Sequence, residues 1–98
     1  MVRVIIERRV KKEKGKELMP LLRELRTAAM HQPGYINGET LASTEDSSII
    51  TVISTWSNLE SWKVWDKSEA RTKLYRPIEP LLVEKPKVST YEVMATEK

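Results

Sequence analysis

The 98-residue sequence has no cysteine, no phenylalanine, a single histidine and only three glycines. Without cysteine there is no disulfide framework, no thiolate metal site and no thiol nucleophile, which suits a reducing cytoplasm. A lone His31 leaves too few ligands for the common zinc constellations and at most one imidazole base. No apolar run nears the roughly 20 residues that a membrane span needs. The opening Met1-Val2-Arg3-Val4-Ile5-Ile6-Glu7 is too short and too charged for a signal peptide. The expectation is a cytoplasmic protein with no membrane segment.

Apolar residues make up 40% and charged residues 32%, a globular rather than a disordered composition. The length suits one domain over residues 1–98, with 95–98 a loose tail. The net charge of +3 is unevenly spread: residues 1–26 hold nine Lys/Arg against four acids. Arg8, Arg9, Lys11, Lys12, Lys14 and Lys16 carry that excess. No aromatic residue is interleaved for base stacking, so the cluster reads as a solvated loop and not as a nucleic-acid surface.

Val2 to Val10 alternates as a strand, with Val2, Val4 and Ile6 on one face and Ile5 on the other. Leu18, Leu21, Leu22, Leu25, Ala28 and Ala29 recur at three and four residues, the stripe of an amphipathic helix. Pro20 is tolerable near the start of that helix and Pro33-Gly34 stops it. Tyr35–Ser43 and Ser48–Trp56 read as two strands of a hairpin around the polar turn Thr44-Glu45-Asp46-Ser47. Ser57-Asn58-Leu59-Glu60 reads as a capping box opening a helix to about Lys67, continued or restarted towards Tyr75. Pro77 and Pro80 interrupt the chain, with Ile78, Leu81 and Leu82 packing as a helical turn before a last strand, Val88–Met94. The order β-α-β-β-α-β predicts a ferredoxin-like α+β protomer with a four-stranded antiparallel sheet.

The third strand is apolar on both sides: Ile49 and Ile53 on one, Ile50, Val52 and Trp56 on the other. A sheet with one wet face alternates apolar with polar instead. Two helices cover one face only, so the other calls for a partner, and the simplest partner is a second copy. A homodimer through facing sheets is expected.

Several segments resemble the antibiotic biosynthesis monooxygenase family. Pro33-Gly34-Tyr35-Ile36-Asn37-Gly38-Glu39-Thr40-Leu41 is similar to its second strand. Ile53-Ser54-Thr55-Trp56-Ser57-Asn58-Leu59-Glu60-Ser61-Trp62-Lys63-Val64-Trp65, then Ser68-Glu69 and Arg71, resembles its third strand and second helix, and Thr90-Tyr91-Glu92-Val93 its last strand. The spacing of the strand and helix tryptophans is the most specific part. The resemblance implies a dimeric α/β barrel, and a family that includes cofactor-free quinone-forming monooxygenases and haem-degrading ones. Trp65 then corresponds to a tryptophan lining the pocket of the haem-degrading branch. Tyr75 stands where that branch has its iron-binding histidine, and Arg8 or Glu7 where it has a first-strand asparagine. These departures make haem the lesser expectation and no cofactor the leading one.

For a cofactor-free oxygenase the candidate substrate-binding residues are Trp65, Trp62 and Arg8, and the candidate catalytic groups Tyr75, Arg71, Asn37 and His31. The tryptophans would wall a dry pocket, Arg71 or Arg8 would supply a cation, Tyr75 a hydroxyl and Asn37 an amide donor. His31, just before Pro33-Gly34, suits the negative end of its helix better than a catalytic base. The expected ligand is a small aromatic or quinol-like molecule, with a non-catalytic ligand-binding or stress-associated dimer as the alternative.

Overall fold

A computed structural model of the chain describes residues 1–97. Its elements are β1 (Val2–Arg9), α1 (Gly15–Met30), β2 (Tyr35–Ala42), β3 (Ile49–Trp56), α2 (Leu59–Asp66), α3 (Glu69–Tyr75) and β4 (Lys87–Glu92), with a 3₁₀ turn at Glu79–Leu81. The four strands form one antiparallel sheet in the order β2-β3-β1-β4. This is the ferredoxin-like arrangement expected from the pattern of apolar residues.

Strand pleating determines which side chains reach the helices. Val2, Val4, Ile6 and Arg8 of β1 are buried, and the residues between them are more exposed. Their partners on β3 are Trp56, Ser54, Val52 and Ile50. Against this row lie Leu18, Leu22, Leu25 and Ala29 of α1, the stripe read from the sequence. Trp62 and Trp65 of α2 complete the core, with Ile78, Leu81 and Leu82 closing its far end. Trp56 sits at the centre, edge-on to Tyr35 at 5.3 Å and to Trp62 at 5.8 Å between ring centroids.

Two local readings are corrected. The cap of α2 is Asn58, not Ser57: the Asn58 side chain accepts from the Ser61 N–H at 2.8 Å. Two overlapping cap patterns compete there, and the asparagine, among the best N-cap residues, takes the position. In β2 the ladder to β3 slips between Tyr35 and Asn37, leaving Ile36 as a bulge. Tyr35 pairs with Trp56 and Gly38 with Ser54 on the helix side, whereas Asn37 pairs with Thr55 on the opposite, open face. Of the expected tail 95–98, residues 95–97 are exposed and irregular, and Lys98 lies outside the described residues.

The open face of the sheet carries Ile5, Ile49 and Ile53, all half-buried, with exposed Leu41 and Tyr91. Among them stand Arg3, Glu7, Glu39 and Lys87. No helix among the described residues packs on this side, and none is long and apolar enough to cross a membrane.

Candidate functional site

Arg8 is where the alternation of β1 puts a large charged side chain into the core. It follows Val2, Val4 and Ile6 on the same face and is 1% exposed. Its Nε and Nη2 are buried without a hydrogen-bond partner among the described residues. No carboxylate forms an ion pair with it among those residues. Burial, and next the nearby positive Arg71, push its pKa down to about 10, so it remains a cation at neutral pH. The sequence grouped Arg8 with a solvated basic cluster; that reading is corrected, because strand parity outweighs the local run of charge. Its neighbour Arg9, of opposite parity, donates to Asp46 at 2.8 Å and to Ser48 at 3.1 Å.

Above Arg8 lie α2 and α3. The chain breaks between them at Ser68, whose side chain accepts from the Arg71 N–H at 3.2 Å and starts α3. Arg71 and Tyr75 are four apart, so they stack on one face. The Arg71 guanidinium lies 5.6 Å from the Trp62 ring centre and 5.8 Å from that of Tyr75. Its side chain is 13% exposed, with Asp66 as its carboxylate partner at 3.4 Å. Burial lowers the Arg71 pKa, an effect opposed by Asp66 and Tyr75. Burial likewise raises that of the Tyr75 phenol, and the positive field of Arg8 opposes the rise.

These side chains border two chambers. The inner one, about 50 Å³, is lined by Arg8, Arg71, Trp62, Trp65 and Tyr35 among largely apolar neighbours. The outer one is an open groove of about 480 Å³, bordered by Arg71, Tyr75, Asp66, Leu82 and Val88. Ile6 and Arg71 belong to both, so the chambers meet at that pair.

Of the residues singled out from the sequence, Arg8, Arg71, Trp62 and Trp65 come together at the inner chamber, and Tyr75 borders the groove. Trp62 is both a core residue and a cavity wall. Asn37 and His31 lie elsewhere. Asn37 is exposed on the open face of the sheet because of the Ile36 bulge. His31 caps the C-terminus of α1, with its Nδ1 2.8 Å from the Thr27 carbonyl oxygen, and is exposed. The sequence reading missed Tyr35, whose phenol occupies the space beside Gly38. A Cβ on Gly38 would come within 2.6 Å of the Tyr35 hydroxyl oxygen, so a larger residue there would displace the phenol. The signal was present as the Gly at that spacing, but the bulge that aligns the pair was not.

The site does not suit haem. Burial raises the pKa of the Tyr75 phenol, which disfavours the phenolate that would ligate ferric iron. The inner chamber has nowhere near the space for a macrocycle. No group of three His, Cys, Asp or Glu among the described residues could hold a metal ion.

The sequence model described as antibiotic biosynthesis monooxygenase matches residues 1–76. No curated protein matches the chain by sequence. Among solved structures, a conserved protein from Methanosarcina mazei Go1 superposes with a TM-score of 0.85 at 22% identity, over 92% of this chain and 89% of that one. A protein described as an antibiotic biosynthesis monooxygenase gives 0.86 at 20% identity, over 97% and 100%. SnoaB, a cofactor-independent oxygenase from Streptomyces nogalater, gives 0.83 at 10% identity, over 97% and 95%. At these identities the superpositions speak for the fold.

Proposed function

Because the chain belongs to the antibiotic biosynthesis monooxygenase family, we propose that it is a cofactor-independent oxygenase of a small, electron-rich aromatic or quinol-like molecule. The observation that carries this reading is the Arg71–Tyr75 pair, stacked where the inner chamber meets the groove. A preorganised cation and a neutral hydroxyl donor beside an apolar cavity favour a negative charge developing on a bound ring oxygen.

The chemistry needs no external reductant. An anthrone-type ring CH₂ loses a proton to water in the groove, and the resulting phenolate is held by Arg71 and by the Tyr75 O–H. That anion passes one electron to O₂, and recombination forms a carbon–oxygen bond as a hydroperoxide. Loss of water then leaves a carbonyl, so that R₂CH₂ and O₂ become R₂C=O and H₂O. All four electrons come from the substrate carbon. Ile6, Leu82 and Val88 would keep water from the ring, and a dry site strengthens each of these interactions.

Two copies would pair through the open sheet faces, where Ile5, Ile49, Ile53, Leu41 and Tyr91 await cover. The proposed setting is the cytoplasm, in keeping with a cysteine-free chain. Oxygen uptake with a panel of anthrone- and quinol-type compounds tests the reading, in buffer free of added metal or flavin. Acceleration over buffer is expected, with kcat reduced about 10²-fold in Arg71→Gln. No acceleration across the panel overturns it. The groove of about 480 Å³ falls in the range of about 300–1,000 Å³ that ligand pockets occupy, which also suits a second reading, a ligand-binding dimer without turnover.

A further inference from the structure

The mechanism above uses Arg71 and leaves Arg8 without work. Yet Arg8 is the costlier of the two to bury. It has no carboxylate, and the two nitrogens that lack partners are Nε and Nη2. Those atoms form one edge of the planar guanidinium, where two N–H bonds run nearly parallel. That edge is the fork that grips both oxygens of a carboxylate at once. Both nitrogens are sealed from bulk solvent. A core of this size seldom retains an unpaired buried cation unless something meets it.

We propose that Arg8 is a carboxylate anchor: the substrate or ligand carries a planar carboxylate that docks in the inner chamber on the Nε/Nη2 edge. This rests on the oxygenase reading only for the fate of the rest of the molecule. The chamber of about 50 Å³ has room for a head group of a few atoms and not for a ring system. The ring would extend past Ile6 and Arg71 into the groove of about 480 Å³, beside Tyr75. Flat aromatic walls, Trp62, Trp65 and Tyr35, suit a planar head better than a tetrahedral, strongly hydrated phosphate. Three arginines, Arg8, Arg26 and Arg71, line the inner chamber with one carboxylate, Glu39, whereas Asp66, Glu79 and Glu84 border the groove against Arg71 and Lys85, so the inner chamber is the more positive of the two. A ligand would therefore enter carboxylate first, which orients its ring. Arg8 is thus a specificity-determining residue, and Arg71 serves the ring.

The test is equilibrium binding by isothermal titration calorimetry, kept separate from turnover, with 2-naphthoate and its neutral isostere 2-naphthamide. The wild-type protein is expected to bind the carboxylate at least tenfold tighter than the amide. Arg8→Lys, which keeps the charge and loses the fork, is expected to lose most of that preference, and Arg8→Met all of it. Circular dichroism checks that each variant is folded; should Arg8→Met fail to fold, Arg8→Lys carries the test. Equal binding of the two compounds, no binding of either at millimolar concentration, or a preference that survives in Arg8→Lys overturns the anchor. Oxygen uptake with neutral anthrone then still stands as the measure of the oxygenase. Conversely, a carboxylate preference that depends on Arg8, in a protein that consumes no oxygen, supports the anchor and removes the oxygenase.

Discussion

Arg8 and Arg71 line one cavity from opposite layers, β1 and α3, and only Arg71 has a carboxylate partner, Asp66 at 3.4 Å. Burial disfavours the ionised form of both, and for Arg8 the positive charge of Arg71 adds to it. Such an arrangement costs folding free energy, and a site for an anion is the use to which it is fitted. Four measurements follow from this arrangement and from the scaffold around it.

Replacing Arg8 with methionine keeps much of its volume and removes a buried, unpaired charge. Substitutions of this kind are neutral or stabilising by about 1–4 kcal/mol. For a domain near 100 residues each kcal/mol moves Tm by about 4–8 °C. Arg8→Met is therefore expected to melt higher than the wild type by calorimetry. A lower Tm would mean that Arg8 has a partner that stabilises it.

The β2–β3 turn is held by Asp46, which accepts from the Ser48 N–H at 3.0 Å, the Ser48 hydroxyl at 2.6 Å and Arg9 at 2.8 Å. The two Ser48 bonds first, and then Arg9, hold its carboxyl down to about 2 from 3.8. A depressed acid stabilises the fold above its unfolded pKa, and that contribution disappears as pH falls through the folded one. The stability gap between wild type and Asp46→Asn, from urea unfolding, should be constant above pH 4 and close between about pH 4 and pH 2. A gap independent of pH over that range would contradict the assignment.

The cap of α2 separates two neighbouring residues. Asn58→Ala removes the bond to the Ser61 N–H and is expected to cost about 0.5–2 kcal/mol. Ser57→Ala, with no side-chain bond in the cap, should fall within about 0.5 kcal/mol of wild type. Chemical denaturation distinguishes them, and equal costs would restore the Ser57 cap.

Pairing through the open face predicts a dimer in sedimentation at micromolar concentration. Ile53→Lys puts a charge at the centre of that face, opposite Ile5 on one side and Glu39 on the other. It is expected to give a folded monomer with an unchanged far-ultraviolet spectrum. A wild-type monomer would end the facing-sheet model.

Two residues show where local pattern falls short of placing a side chain. Arg8 stands in a run of basic residues, and composition places such a run in water. The alternation of Val2, Val4 and Ile6 already pointed position 8 inward, but nothing local says whether charge or parity prevails. Asn37 lies on the opposite side from the one its spacing suggests. Counting by two from Tyr35 places both on one face, and the bulge at Ile36 breaks that count. A bulge arises from the match between two strands, so neither strand alone announces it.

Element types and their order were determined by the amino-acid sequence alone, because periods of two and of 3.6 residues, the Pro33-Gly34 stop and the polar turn at 44–47 are local properties. So was the inward direction of the α1 stripe, since an apolar face must leave water. Which polar side chains share a cavity was decided only when β1, β2 and the two helices packed together. Pairing register and a single bulge are set by contacts between segments distant in the chain, and those contacts brought Arg8, Arg71 and Trp62 together while turning Asn37 away.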